Sequence, residues 1–331
     1  MQKFLNDPDE FVDDVLHGVL AAHPRHLTSG TAARSVIRAN PPRDQVPIVT
    51  GGGSGHLPLF FGYVGDGLVT AAAVGGVFNS PSADLVLSCI RDVDNGSGVL
   101  LLYGNYGGDV MNFDLAAELA AAEGIRTVTM LAADDVASAP LAERHRRRGV
   151  AGIALLYKLA GAASARGDSL DTISSLLQRA TDRLVTVGVA LSPCILPAVG
   201  RPTFELPAGQ MEIGAGLHGE PGVRRESLTQ ASVIVNQVLE LLLNDNGPVA
   251  GDRVALLVNG LGSTPLEELY LISGICHDQL RKAGIEVVVP FVGNFATSLE
   301  MGGASVSLLP VDDEMQTLLG APCHAPVMTL W

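Results

Sequence analysis

The sequence predicts an α/β protein built as two α/β domains, the first with a largely parallel sheet. Short apolar runs alternate with helical patterns through the first half, the signature of strand–helix–strand units. At 331 residues and 47% hydrophobic content the chain is long for one compact core. Proline and glycine accumulate over residues 192–202, which sets residues 1–190 and 191–331 as the two expected units.

Asp7-Pro8 opens an amphipathic helix running to residue 22, with Asp7 as N-cap and Pro8 at the first helical position, and His23-Pro24 ends it. Residues 46–50, 68–74, 99–103 and 126–131 are apolar runs of strand length, with helical periodicity over 81–93 and 110–122 between them. Two helices rich in alanine and leucine, 150–165 and 170–184, bridge to the second half. There the pattern gives a strand at 211–213, a long helix over 226–243, a strand at 253–259, a helix over 265–283, and strands at 286–292 and 305–309. Thr264 and Glu267 are spaced as a capping box, and Asn244-Asp-Asn-Gly-Pro248 reads as an exposed turn.

A formal charge of −14 argues against nucleic acid or an anionic membrane surface as a partner. Cys89, Cys194, Cys276 and Cys323 are far apart, so the expectation is buried thiols rather than a disulfide framework or a zinc site, and no metal is assigned to the chain. The N-terminus carries acid where a signal peptide wants base, and the apolar stretches are too short to span a bilayer; the expected location is cytoplasmic. Lys3, Lys158 and Lys282 are the only lysines and none follows a glycine, so there is no phosphate-binding loop of the Gly-x-x-x-x-Gly-Lys type.

Three glycine-rich segments hold the chemistry. Thr50-Gly-Gly-Gly-Ser-Gly-His56 follows the first parallel strand, where an open α/β sheet binds ligands at strand carboxyl ends, and its backbone N–H groups are free to meet ligand oxygens beside His56. Gly104-Asn-Tyr-Gly-Gly-Asp109 repeats the arrangement after the strand at 99–103, with Asp109 as an N-cap or as an acid/base group. Gly214-Ala-Gly-Leu-His218-Gly-Glu-Pro-Gly222 isolates His218 in what should be a tight, ordered loop; Pro221 and Gly222 forbid the helix that a dinucleotide fingerprint needs. Phe78-Asn79-Ser80-Pro81 follows another strand, with Ser80 as a helix N-cap or a hydroxyl turned to the pocket. The other six histidines read as structural, and Arg146-Arg-Arg148 as a solvated face.

Taken with Asn112-Phe113 and Arg147-Arg-Gly-Val-Ala-Gly152, these segments closely resemble the substrate-binding K subunit or domain of dihydroxyacetone kinases over essentially the whole chain. The resemblance implies that His218 attacks the ketone carbon of a short ketose to form a hemiaminal, and that His56 and Asp109 handle the proton of the hydroxyl being phosphorylated. Gly52, Gly53, Ser54, Gly55, Ser80 and Gly104 form the expected substrate-contacting set. It also implies a homodimer, no cofactor on this chain, and ATP or ADP with magnesium on a helical L partner, separate or fused. Whether the donor is ATP or a phosphoenolpyruvate-driven relay stays open.

Leu57, Gly76 and Gly104 depart from the commoner pattern, which has glutamate, glutamate and lysine there. Similar Gly-Asn-Tyr-Gly-Gly-Asp variants occur in the erythrulose kinase branch, so dihydroxyacetone or a tetrulose such as erythrulose is the expected substrate. The alternative is a non-catalytic ketose-binding regulatory paralogue of the co-activator kind. Such paralogues can lose acid/base residues, whereas His56, Asp109 and His218 are all present here.

Overall fold

The computed structural model describes residues 3–326 and 328–330. Its first half runs α1 (Phe11–Ala22), β1 (Leu27–Ser29), β2 (Ser35–Arg38), β3 (Ile48–Ser54), β4 (Ala71–Val77), α2 (Ala83–Val93), β5 (Val99–Gly104), α3 (Gly107–Ala122), β6 (Thr127–Ala132), α4 (Ile153–Arg166) and α5 (Leu170–Thr181). Six strands form one sheet in the order β1-β2-β4-β3-β5-β6. The neighbours from β4 to β6 are parallel and the pairs involving β1 and β2 antiparallel. This is the largely parallel sheet expected, and Val99, Leu100, Leu101 and Leu102 have no exposed surface, as a strand covered on both faces requires.

The second half adds β7 (Val185–Ser192), β8 (Gln210–Ile213), β9 (Arg224–Ser227), α6 (Ala231–Asn244), β10 (Arg253–Gly260), α7 (Leu266–Lys282), β11 (Glu286–Gly293), β12 (Gly302–Pro310) and α8 (Asp313–Leu319). They build a second six-stranded sheet, β11-β10-β12-β7-β8-β9, in which only β10 and β11 run parallel. The strand that straddles residue 190 pairs with β12, inside this second sheet. One apolar cluster joins the halves: Leu155 and Tyr157 of α4 share it with Leu257 of β10 and Leu309 of β12.

Several local expectations are overturned. β3 does not stop at Thr50 but continues through the glycines, with Gly51 and Gly52 opposite Ala73 and Val74 of β4. The glycines are there for crowding: a Cβ on Gly52 would lie 2.2 Å from the Phe60 ring, and one on Gly53 2.8 Å from the backbone of Phe78 and Asn79. The expected helix over 226–243 opens instead as strand β9, and α6 begins only at Ala231. Asp7 does not cap α1, whose N-cap is Glu10; its carboxylate accepts the Asp9 N–H at 3.0 Å in a preceding turn. Ser82, not Ser80, caps α2, accepting the Leu85 N–H at 3.3 Å. Tyr106 occupies the N-cap position of α3, which leaves Asp109 inside the first turn. Thr264 makes no capping box: its hydroxyl donates to the Gly303 carbonyl at 2.6 Å and accepts the Gly303 N–H at 2.8 Å, tying the loop to β12. The short strands β1 and β2 escape notice because neither exceeds four residues.

Candidate functional site

The carboxyl ends of β3, β4 and β5 face the loop that follows β8, and the site lies where they meet. His56 stands two residues beyond β3, Phe78 one residue beyond β4, and Asp109 in the first turn of α3 after β5. His218 arrives from the other half on the glycine-rich loop. Gly214 and Gly219 there take φ of +83° and +82°, a backbone that a side chain strains. The loop is closed on itself by the Gly216 N–H to the Glu220 carbonyl at 3.2 Å and the Gly219 N–H to the Gly216 carbonyl at 3.2 Å.

The two imidazoles touch. His56 Nε2 lies 3.1 Å from His218 Nε2. On its far side His56 Nδ1 donates to the Thr297 carbonyl at 2.7 Å, and its ring stacks on Phe78 with centroids 4.7 Å apart and 14° between planes. His218 Nδ1 lies 3.0 Å from Glu220 Oε1, while the other carboxylate oxygen accepts the His218 backbone N–H at 2.9 Å. Tyr106 presents its ring edge-on to His218, centroids 5.0 Å apart. Behind Glu220 stands Arg148, 3.7 Å away and paired with buried Asp135 at 2.7 Å.

Burial sets the protonation states. His56 is 3% exposed, and burial, reinforced by the neighbouring His218, pulls its pKa down to about 3, so it works as a neutral ring. Burial likewise raises the Asp109 carboxyl to about 6, opposed by a hydrogen bond from Ser80 and by His218. One carboxylate oxygen of Asp109 is buried with no hydrogen-bond partner, as is the Tyr106 hydroxyl. Burial pushes Glu220 up, but the hydrogen bond to the His218 ring, with Arg148 behind, outweighs it and holds the carboxyl at about 2. These are two carboxyls in one site with opposite tendencies, the pattern of a base and a fixed counter-charge.

A small cavity is lined by His56, Asp109 and His218 together with Gly53, Gly104, Tyr106, Phe60, Leu59, Gly149, Ile153 and Leu217. Of the residues singled out from sequence, Gly52, Ser54, Gly55 and Ser80 do not line it. Gly52 sits under Phe60, Ser54 Oγ donates to the Gly75 carbonyl at 2.9 Å, and the Gly55 carbonyl accepts the Leu299 N–H at 2.7 Å. Ser80 bears on the site indirectly, pulling the Asp109 carboxyl back down against burial. A more open groove between α6, α7 and the second sheet is lined mainly by Val187, Val189, Ile234, Val238, Leu271 and Ile272. It lacks the convergent polar groups that make a reactive pocket.

Sequence reasoning missed Glu220, Arg148, Tyr106 and Thr297. The solvated face expected of Arg146-Arg-Arg148 holds for Arg146 alone. Arg147 is 3% exposed and grips Asp245 with both terminal nitrogens, at 2.8 and 2.6 Å. That pair also anchors the supposedly plain turn after α6. The partners lie 98 residues apart, so no local spacing announces them. Among the described residues no group of His, Cys, Asp and Glu is placed to hold a metal ion, and no helix is long and apolar enough to cross a membrane.

Residues 17–327 match the Dak1 domain family. The chain is 41% identical to the dihydroxyacetone-binding subunit DhaK of PTS-dependent dihydroxyacetone kinase 2 from Listeria innocua, over 98% of each chain. It is 40% identical to L-erythrulose 1-kinase of Mycolicibacterium smegmatis, covering 98% of this chain and 58% of that one. Among solved structures, the dihydroxyacetone kinase operon co-activator Dha-DhaQ superimposes with a TM-score of 0.88 at 34% identity, covering 95% of this chain and 97% of that one. With its fold, its glycine-lined cavity and these relatives in agreement, the chain belongs to the Dak1 domain family.

Proposed function

We propose that the chain is the substrate-binding subunit or domain of a ketose kinase, holding a short ketose as a hemiaminal on His218 while a nucleotide-bearing L partner supplies the phosphoryl group. The observation that carries this reading is that His218, its Nε2 3.1 Å from the neutral His56 ring, lines one small cavity together with His56 and Asp109. A neutral imidazole adds to a ketone carbon and not to an alcohol, so the bond would select ketoses over polyols bearing the same hydroxyls. Nε2 forms the C–N bond, the carbonyl π pair moves to oxygen, and that oxygen takes a proton from solvent. Asp109, its free oxygen buried at the cavity wall, then accepts the proton of the hydroxyl that attacks phosphorus, and much of the rate comes from positioning.

The chain has no phosphate-binding loop of the Gly-x-x-x-x-Gly-Lys type, and among the described residues no group of His, Cys, Asp and Glu is placed to hold a metal ion. In this reading ATP or ADP with magnesium sits on the L partner, and the chain is a homodimer, as the family resemblance implies. Absence of charge at Leu57, Gly76 and Gly104, and the likeness to an erythrulose kinase, favour a tetrulose. The likeness to a co-activator supports a second, regulatory reading, against which stand the three retained acid/base residues. Turnover of dihydroxyacetone and erythrulose by the chain with an L partner tests the proposal. Faster turnover of erythrulose is expected, and binding without turnover of either ketose would favour the regulatory reading.

A further inference from the structure

We propose that Glu220, backed by Arg148, is the positioning residue that decides which nitrogen of His218 is free to react. The inference rests on the ketose-kinase reading above for its functional meaning, though not for its geometry.

An imidazole has two nitrogens, and when neutral it carries one proton. His56 donates from Nδ1 to the Thr297 carbonyl, which can only accept, so neutral His56 presents a bare Nε2 to His218. That lone pair invites a donor. Left to itself, a neutral His218 would settle with its proton on Nε2, donating across the 3.1 Å contact to His56 and hiding the nucleophilic lone pair. Glu220 reverses the preference. Its Oε1 stands 3.0 Å from His218 Nδ1, and a carboxylate facing a bare Nδ1 would set two lone pairs against each other. A full carboxylate charge against a lone pair costs more than the two bare Nε2 atoms of His218 and His56 left facing each other at 3.1 Å, so the proton is held on Nδ1 and Nε2 keeps its lone pair.

Glu220 is itself held in two ways. Its Oε2 accepts the His218 N–H at 2.9 Å, so the loop backbone fixes the carboxylate against the ring it directs. Arg148 lies 3.7 Å from that oxygen and is anchored at Asp135 by Nε at 2.9 Å, with a further bond to the Gly214 carbonyl at 3.3 Å. A Cβ on Gly216 would fall 2.2 Å from Glu220 Oε2 and 2.6 Å from an Arg148 nitrogen, so glycine at 216 is what lets the pair close over the loop. Once the ketose has added, the ring is a cation, alkylated at Nε2 and protonated at Nδ1, and the same carboxylate is its counter-charge. The groups facing His218 are thus His56, Glu220, Asp109 and Tyr106, with Arg148 behind Glu220.

The test is long-range nitrogen NMR on histidine-labelled protein without ketose, followed by carbonyl-labelled dihydroxyacetone, for the wild type, E220A and E220D. The wild type should show His218 protonated at Nδ1. E220A should move the proton to Nε2 and cut adduct formation at least ~10-fold, the low end of what losing control of a histidine tautomer costs. E220D returns a carboxylate and should restore part of both signals, which separates positioning from a general loss of fold. A wild-type His218 protonated at Nε2, or an E220A protein with unchanged tautomer and adduct, would overturn the proposal. A tautomer switch in E220A with no adduct even in the wild type would uphold the role of Glu220 and sink the ketose reading instead.

Discussion

Asp109 illustrates what a reactive residue costs. Its carboxyl is raised from the ordinary 3.8 to about 6 by burial, so the folded chain binds that proton more tightly than the unfolded one. Below pH ~3.8 both states are protonated and the group is neutral to stability; as pH rises through about 6 the fold must carry a desolvated charge and loses stability. Replacing it by asparagine should therefore raise stability at pH 8 by about 1–3 kcal/mol, in urea melts, with the gain fading as pH falls from 6 towards 4. The same D109N protein should lose phosphoryl transfer. In wild type, transfer should decline on the acid side of about pH 6, as Asp109 becomes protonated; a flat profile from pH 5 to 8 would remove Asp109 from the role of base. His56, Asp109 and His218 were legible in the sequence because glycines isolate them. Glu220 was not, although it sits two residues from His218, because a carboxylate in a loop carries no signal until the ring it faces is placed.

Elements reach the site by close backbone approach, and their boundaries were the least legible part of the fold. The glycine run after residue 50 suggested a loop, yet β3 extends through it because neighbours crowd the strand from both sides. G53A should accordingly cost about 1–3 kcal/mol, since its Cβ would meet the backbone of Phe78 and Asn79 and not a yielding side chain. A thermal melt checks this, and unchanged stability would mean that the strands are not packed this tightly. Serine and threonine before a helix suggested caps that the chain places elsewhere: Ser82 caps α2, while Ser80 lies against the first turn of α3 and Thr264 ties to β12. The basic run at 146–148 makes the opposite point, since two of its three arginines are interior struts. R147M should destabilise the protein by about 2–4 kcal/mol in denaturant titration, because it leaves the partly buried Asp245 carboxylate without its partner. R146M should change little, its side chain being 67% exposed.

At the scale of the whole molecule, the parallel character of the first sheet and the two-sheet α/β class were readable from alternating patterns. What periodicity does not convey is how the halves meet. Strand β7 belongs to the second sheet, α4 lies in an apolar cluster shared with β10 and β12, and the loop after β8 carries His218 against His56, 162 residues earlier. Neither half holds the proposed chemistry alone: the first supplies the acid/base groups and the second the nucleophile. The central claim is a covalent ketose on that nucleophile, and carbon NMR of the purified chain with carbonyl-labelled dihydroxyacetone and then erythrulose tests it most directly. The account predicts a protein-bound resonance moved from the ketone to the tetrahedral region and absent in H218A; a ketose that stays at its ketone frequency in the wild-type chain would contradict it.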